Sequence, residues 1–444
     1  MGTMFHLIQS PAMQTYVLPS ICAAIIILAV PLLAGCFLIA ERKFRAHVEA
    51  RSNDAGTEAH GLLEPITEVS KLLLTEDVTP SRADPVIFWA GPLVSVVVVL
   101  LAFSVMPIGP AFHIADLNIG LLFIFGIGSL TVYGVLLGGW ASDTQNAMTS
   151  ALGVAAQLIV YGTVTILGAL SALLLSGSLS LKEIVQAQLD RGQWFVFYVP
   201  VGFAAYFLGS LSVTTLAPVD SSGPGNESDT AYMSAYTGYR RCLYLLAGYT
   251  NVILVACIAT TVFLGGWLRP LAGYRDRFPG TSVELLDVLP AIVMMGAGAY
   301  LFWRARRLTV NIRRAGAFSV AGLCVVAAAL LLGVLFTSES FMQGVHGAFW
   351  FVVKVGAYIY FVFWFRFEFF PTYRDKVSRL EWRMLIPVAL VNLVTAATAI
   401  LTSQDTGWPM RLTTLVATAT TLGVAWWLFK NPLDEAAAVR AGGE

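Results

Sequence analysis

The feature that most constrains this chain is a series of eleven long apolar runs, each close to the length of a membrane-spanning helix. An α-helix needs about 20 predominantly apolar residues to cross the hydrocarbon core. The runs are continuous, whereas the strands of a membrane β-barrel alternate between apolar and polar residues. The sequence therefore predicts an all-α polytopic transmembrane helix bundle of about eleven helices. The runs centre on residues 15–40, 86–109, 117–139, 150–176, 194–217, 242–267, 285–303, 316–337, 347–366, 383–403 and 409–430.

Composition agrees with a membrane protein, and the distribution of charge predicts its orientation. Hydrophobic residues make up 57% of the chain and charged residues 12%, against about 25% charged in soluble domains. The net charge of zero gives no reason to expect a nucleic-acid partner. Loops that follow odd-numbered runs hold most of the Lys and Arg residues, so the positive-inside rule predicts an external N-terminus and a cytoplasmic first loop. The first run lacks a basic leader and a cleavage pattern, which indicates a retained helix.

Two long polar segments interrupt the apolar runs. Residues 41–84 form the longest hydrophilic interval, in which Leu62, Ile66, Val69 and Leu73 share one helical face. This pattern predicts an amphipathic helix that lies at the membrane surface, under a partner subunit, or packed on its own bundle. The second segment, residues 218–241, contains the turn-forming stretch SSGPGNESDT, which we expect to be mobile unless a partner orders it. Residues 431–444 are expected to form a frayed polar tail.

Candidate chemical groups are few. Lys354 is the one clear charge inside an apolar run, and its position is compatible either with functional coupling or with snorkelling or a helix–helix hydrogen bond. Asp116 and Asn118 precede the third run and suit a helix cap. The five cysteines and five histidines show no spacing that is typical of a metal site. By itself, the sequence contains no motif for a redox centre or a hydrolytic site.

Several ordered segments together resemble one family. They are AERK at 40–43, GLLEP at 61–65, the stretch from ADLNIG to AAQLIVY at 115–161, APVD at 217–220 and YTNVILVACIATTVFLGGW at 249–267. They are similar to the H subunit of the proton-translocating NADH-quinone oxidoreductase, respiratory complex I. The resemblance covers about residues 10–267 and 342–403. It implies an eight-helix family core, with two helices inserted at 268–341 and an extra helix and tail at 404–444.

The resemblance implies a subunit of a respiratory-chain translocase in the inner membrane that is not catalytic alone and binds no cofactor of its own. Quinone would be the substrate of the complex, and the partners would be other membrane subunits, peripheral subunits and lipid. Matching positions of the quinone tunnel or docking loops are Glu41, Arg42, Arg51, Lys71, Glu76, Asp220, Glu227, Tyr232, Tyr236, Arg240, Arg374 and Asp375. Matching intramembrane polar positions are Asp116, Gln157, Tyr161 and Lys354.

This chain also departs from the family pattern where proton transfer needs titratable groups. Glycine, alanine or valine replaces a carboxylate of the family pattern at Gly162, Val213, Ala235 and Gly248, and arginines are replaced at Gly153 and Leu216. One interpretation is that water or neighbouring residues take over, and the protein works normally. A second is that docking is retained while the proton path is weakened. A scaffold paralogue, a related oxidoreductase with another electron acceptor, and a free-standing transporter are further alternatives.

Overall fold

A computed structural model describes residues 74–81, 83–109, 114–213, 231–270, 285–306, 339–369, 384–406 and 408–441, with scattered positions at 20–41 and 322–332. All regular structure within these ranges is helical, which confirms the predicted all-α class. The helices are α1 (Pro85–Phe103), α2 (Gly120–Ser129), α3 (Thr131–Ala141), α4 (Gln145–Ser176), α5 (Leu181–Asp190), α6 (Pro200–Val213), α7 (Gly238–Phe263), α8 (Leu285–Arg306), α9 (Glu339–Phe369), α10 (Ile386–Thr406) and α11 (Met410–Ala441). Two 3-10 turns occupy Phe195–Phe197 and Ala231–Met233.

Six spans among the described residues are long and apolar enough to cross a membrane, which makes the chain a multi-pass membrane protein. They are Pro85–Phe103, Gly120–Ala141, Gln145–Ser176, Gly238–Phe263, Gly344–Phe365 and Ile386–Asp405. Shorter apolar helices cover Pro200–Leu211 and Ala291–Trp303. The first and eighth predicted runs fall largely outside the described residues, as does the predicted amphipathic helix at residues 62–73.

Several boundaries differ from those that the sequence predicts. The third run consists of two helices, α2 and α3, which are separated at Leu130. The predicted loop 218–241 ends earlier, because α7 begins at Gly238. The predicted frayed tail from residue 431 is wrong, since α11 continues to Ala441. The short helix α5 was not predicted, because its ten residues are too few and too polar to resemble a membrane span.

Helix α7 is the centre of the described bundle. Of its most apolar 18-residue window, 72% is buried inside the protein, the highest share among the six spans. It packs against α1, α5, α6 and α9, and its buried face includes β-branched residues and small residues throughout residues 247–263. A helix with this burial is enclosed by protein rather than by lipid over most of its length.

Helices α4 and α6 approach each other closely through glycine. A Cβ atom on Gly168 of α4 would lie 2.7 Å from the backbone oxygen of Gly202 and 2.7 Å from the backbone nitrogen of Tyr206. These atoms belong to the α6 backbone and cannot rotate away. Glycine therefore allows the backbones of the two helices to approach more closely than any side chain at position 168 would allow.

We expect Gly168→Ala to destabilise the protein by about 1–3 kcal/mol, because the added methyl group forces α4 and α6 apart. Thermal unfolding of the purified full chain in detergent measures the effect. Gly162→Ala is the matched control on the same helix, since a Cβ atom there has no neighbour within 4 Å. Equal unfolding temperatures for the two variants would contradict the close-packing argument.

Candidate functional site

One end of the bundle is formed where the segment before α1 meets the segment before α7. The Asp84 side chain caps α1 by accepting a hydrogen bond from the backbone nitrogen of Val86 at 2.9 Å. The backbone nitrogen of Val78 donates to Thr237 Oγ1 at 3.0 Å. Gly238 has a φ of +57°, and a Cβ atom there would lie 2.8 Å from the Thr75 oxygen. Glycine thus lets the end of the long polar segment lie directly on the first turn of α7.

A buried ion pair joins these two segments. Arg240 Nε donates to Asp77 Oδ2 at 2.6 Å, and Arg240 Nη2 donates to Thr79 Oγ1 at 2.8 Å. Only 6% of the Arg240 side chain and 16% of the Asp77 side chain are exposed. The guanidinium carbon also lies 4.7 Å from the centre of the Phe88 ring and 5.3 Å from the centre of the Trp89 ring. The positive charge is therefore held by one carboxylate, one hydroxyl and two aromatic faces.

Buried aromatic rings continue from the ion pair into the bundle. Tyr236 stacks on Phe88 with 4.0 Å between ring centres and 5° between ring planes. Tyr244 packs edge-on against Tyr232 at 5.7 Å and against Tyr236 at 5.0 Å. We name Asp77, Phe88, Tyr232, Tyr236, Arg240 and Tyr244 the Arg240–tyrosine cluster. Its aromatic part is a rigid apolar wall beside one fixed charge.

Glycines on two helices make room for this wall. The Tyr244 hydroxyl donates to the backbone oxygen of Gly134 at 3.0 Å. A Cβ atom on Gly91 of α1 would lie 2.3 Å from the Tyr244 hydroxyl oxygen, and one on Gly138 of α3 would lie 2.2 Å from it. Gly91 of α1 and Gly138 in the VYGVLLGGWAS segment of α3 are therefore needed for the phenol ring to enter between the two helices.

Burial also determines the protonation of the tyrosines that precede α7. Burial raises the pKa of Tyr236 to about 12, although the Arg240 charge opposes the shift. Burial also raises the pKa of Tyr232. Both phenols are therefore neutral throughout the physiological pH range. They can act as hydrogen-bond donors and apolar surface, but they do not supply a negative charge or a base.

The structure brings together three of the residues that the resemblance singled out, Tyr232, Tyr236 and Arg240. Glu76 is exposed and lies beside the cluster, whereas its neighbour Asp77 makes the ion pair. Asp77 was not predicted as a site residue, because nothing in the sequence of Glu76 and Asp77 indicates which of the two carboxylates faces the bundle. The predicted positions Arg42, Arg51, Lys71, Asp220, Glu227, Arg374 and Asp375 lie outside the described residues.

Lys354 lies at the opposite end of α7. Its Nζ atom donates to the backbone oxygens of Leu264 at 2.7 Å, of Gly266 at 3.0 Å and of Leu268. The side chain is 6% exposed, and Nζ lies 4.7 Å from the centre of the Trp194 ring. These contacts are hydrogen bonds from one helix to the segment that follows another, so they resemble the predicted helix–helix hydrogen bond without being one. They do not support snorkelling, because the ammonium group is buried.

Gln188, from the unpredicted helix α5, completes the same helix end. Its Nε2 atom donates to the backbone oxygens of Thr261 at 3.0 Å and Val262 at 3.3 Å, and its Oε1 atom accepts from the Phe195 backbone nitrogen at 3.2 Å. The carbonyl groups of the last turn of a helix have no partner within that helix. Gln188 supplies partners to Thr261 and Val262 of that turn, whereas Lys354 supplies one to the capping residue Leu264 and two to the segment that follows it.

The remaining predicted positions are separate from both groups. The helix-cap prediction for Asp116 is wrong, because α2 begins at Gly120 without a side-chain cap, and Asp116 instead pairs with Lys182 of α5 at 2.7 Å. Glu41 and Tyr161 are buried, whereas Gln157 is half-buried. Within the described ranges, no group of three His, Cys, Asp or Glu side chains could hold a metal ion.

Comparison with known proteins identifies a family over most of the chain. The NADH dehydrogenase family matches residues 21–397. The NADH-quinone oxidoreductase H subunit 2 of Solibacter usitatus (strain Ellin6076) is 34% identical over 390 residues, which cover 86% of this chain and 95% of that protein. The NADH-quinone oxidoreductase H subunit 1 of Koribacter versatilis (strain Ellin345) is 33% identical, covering 80% of this chain and 85% of that protein. The NADH-quinone oxidoreductase H subunit of Geobacillus sp. (strain WCH70) is 28% identical, covering 81% and 87%.

We expect Asp77→Ala to destabilise the protein by about 3–5 kcal/mol, because it leaves the Arg240 guanidinium buried without its carboxylate. Thermal unfolding in detergent measures the loss. Adding Arg240→Leu to Asp77→Ala should recover part of it, since the unpaired charge is then removed. The control Glu76→Ala changes an exposed neighbour and should stay within about 0.5 kcal/mol of the parent protein.

We expect Lys354→Met to destabilise the protein by about 1–3 kcal/mol and to expose the segment after α7, because three buried or partly buried carbonyl groups lose their donor. Hydrogen–deuterium exchange should become faster at residues 264–268. Val353→Met, at a 42% exposed neighbouring position, is the control and should leave exchange there unchanged. Unchanged exchange in Lys354→Met would contradict the capping role.

Proposed function

Because this chain belongs to the NADH dehydrogenase family, we propose that it is a non-redox membrane subunit of a complex I-like NADH-quinone oxidoreductase in the inner membrane. The relatives that cover most of its length are named as the H subunit of that oxidoreductase. On this proposal the chain acts only within the complex, with an external N-terminus and a cytoplasmic first loop. It forms part of the quinone-tunnel wall and provides the seat for the peripheral arm.

The Arg240–tyrosine cluster is the observation that carries the proposal. The polar segment 41–84 ends against α7 at the Arg240–Asp77 pair, so a protein docked on that segment would be coupled mechanically to the most buried helix. The Tyr236 and Phe88 rings stack on each other and are fully buried, so on this proposal they support the quinone-tunnel wall from behind and do not contact the quinone themselves.

We further propose that the proton path of this protein is weakened. A Cβ atom at Gly162 has no neighbour within 4 Å, and the same holds at Gly153. The space for a side chain therefore remains at both positions, while the carboxylate of the family pattern is missing at Gly162 and its arginine is missing at Gly153. Buried proton transfer needs such groups or ordered water within hydrogen-bond reach.

Two other functions remain as alternatives with distinct consequences. A scaffold paralogue would occupy the same place in a modified complex, without any dependence on residue 162. Solibacter usitatus has two proteins that are similar to this chain. They are named as H subunits 2 and 1 of the NADH-quinone oxidoreductase, and they are 34% and 31% identical to this chain. A free-standing transporter would need a polar site near the middle of the membrane, and the contacts of Lys354 with backbone oxygens do not favour one.

The proposal predicts that the tagged chain, isolated from its native membrane, co-purifies with iron–sulfur subunits that oxidise NADH and reduce quinone. Gly162→Glu should raise the number of protons translocated per NADH oxidised in sealed vesicles, because it adds a titratable group where space exists. A pH-sensitive dye and NADH absorbance measure the two rates together.

Gly162→Gln is the matched control, since it adds nearly the same volume without a titratable group. Equal proton-to-NADH ratios for Gly162→Glu and Gly162→Gln would favour the scaffold. Isolation of the chain as a stable monomer without iron–sulfur partners would overturn the whole proposal.

A further inference from the structure

Helix α8 touches the rest of the bundle along one narrow face. Between residues 291 and 303, only Ala291 and Gly298 are buried, and only Met294 and Leu301 are half-buried. These four residues are three or four positions apart, so they form a single stripe, and the helix packs against α9. The other positions are exposed, and their large side chains are those of Ile292, Val293, Met295, Tyr300, Phe302 and Trp303.

The exposed positions surround α8 on all sides except that stripe. A transmembrane helix of another subunit would cover only one side of α8. Lipid acyl chains can cover the whole exposed circumference, because they adapt to any apolar surface. The distribution of exposure therefore favours lipid as the neighbour of this helix.

The sequence at the end of α8 has an unbalanced positive charge. Residues 288–338 contain no Asp, Glu or Lys, but they contain five arginines within eleven positions, Arg304, Arg306, Arg307, Arg313 and Arg314. The apolar runs on either side of these arginines thus offer them no carboxylate. A cluster of basic residues directly after a membrane helix is typical of sites that attract anionic lipids.

The end of α8 combines this charge with aromatic rings. The exposed Arg306 has its guanidinium carbon 4.6 Å from the centre of the Phe302 ring, one turn earlier. Trp303 is 51% exposed and lies beside Tyr300, which is 56% exposed, with 6.2 Å between ring centres. Tryptophan and tyrosine are enriched at the headgroup level of membranes.

The length of α8 agrees with this placement. The helix has 22 residues, which is about 33 Å at 1.5 Å per residue, close to the hydrocarbon thickness of about 30 Å. Arg306 is its last residue and so reaches the headgroups, while Tyr300 and Trp303 lie within two turns of that end. A guanidinium group can bind a phosphate through two parallel hydrogen bonds.

We propose that the end of α8 binds an anionic phospholipid, whose phosphate pairs with Arg306 and whose acyl chain lies against Tyr300 and Trp303. The site is separate from the Arg240–tyrosine cluster and does not depend on the function proposed above. A soluble acidic peptide would match the charge, but it would leave the apolar side chains of α8 uncovered. A zwitterionic lipid would cover those side chains without complementing the arginines.

Photolabelling tests this site in the chain as purified from its native membrane with its bound subunits. The protein is placed in phosphatidylcholine nanodiscs that contain a trace of phosphatidylglycerol with a diazirine on one acyl chain. Phosphatidylcholine with the same diazirine chain is the comparison probe, and mass spectrometry of peptides locates the label. Phosphatidylglycerol should label residues 289–303 roughly tenfold more than phosphatidylcholine does, because only its headgroup has a net negative charge.

Arg306→Gln should lower this preference about fivefold, whereas Arg306→Lys should retain most of it, since the charge is kept. Arg411→Gln is the matched control, because it removes an equally exposed arginine from another helix, and its labelling should equal that of the parent. Equal labelling of α8 by the two probes would overturn the site, as would an undiminished preference in Arg306→Gln. Protection of residues 289–303 from both probes by a bound subunit would also overturn it.

Discussion

The structure depends on satisfying both ends of α7, its most buried spanning helix. The carbonyl groups at one end and an arginine at the other are enclosed by protein, where water cannot replace a missing hydrogen bond. Gln188 and Lys354 donate to the carbonyl groups, while Asp77 accepts from Arg240. These partners come from α5, α9 and the segment before α1. Helices distant in sequence are therefore held around α7 by polar contacts rather than by apolar packing alone.

This arrangement gives the proposed function a mechanical basis. The Arg240–Asp77 pair connects the end of the polar segment 41–84 to α7, so force on that segment would reach the aromatic wall directly. Tyr236 and Phe88 stack within the same cluster, and Tyr244 fits between α1 and α3 because glycine lies on both sides. Stacked rings held against close backbones have little freedom to move separately. Such a rigid core would keep the shape of the helices around it fixed.

Part of the site could be predicted and part could not. The ordered motifs pointed to Tyr232, Tyr236 and Arg240, which the fold does bring together. They pointed to Glu76 rather than to Asp77. The two carboxylates are adjacent in the sequence, and only the fold decides which one faces Arg240 of α7. Asp116 looked like a helix cap from its place before an apolar run, yet Lys182 of α5 competes for it. Helix α5 itself escaped prediction because its partners lie far away in the sequence.

The sequence by itself determined the membrane environment and the helical class. Hydrocarbon admits a spanning backbone only if its hydrogen bonds are satisfied within the segment, so continuous apolar runs specify helices directly. The sequence also carried the motifs of the family. Only the tertiary structure decided which polar side chains form hydrogen bonds at the ends of α7 and which backbone oxygens Lys354 contacts. Those assignments depend on which helices become neighbours, and local sequence does not specify pairings between distant segments.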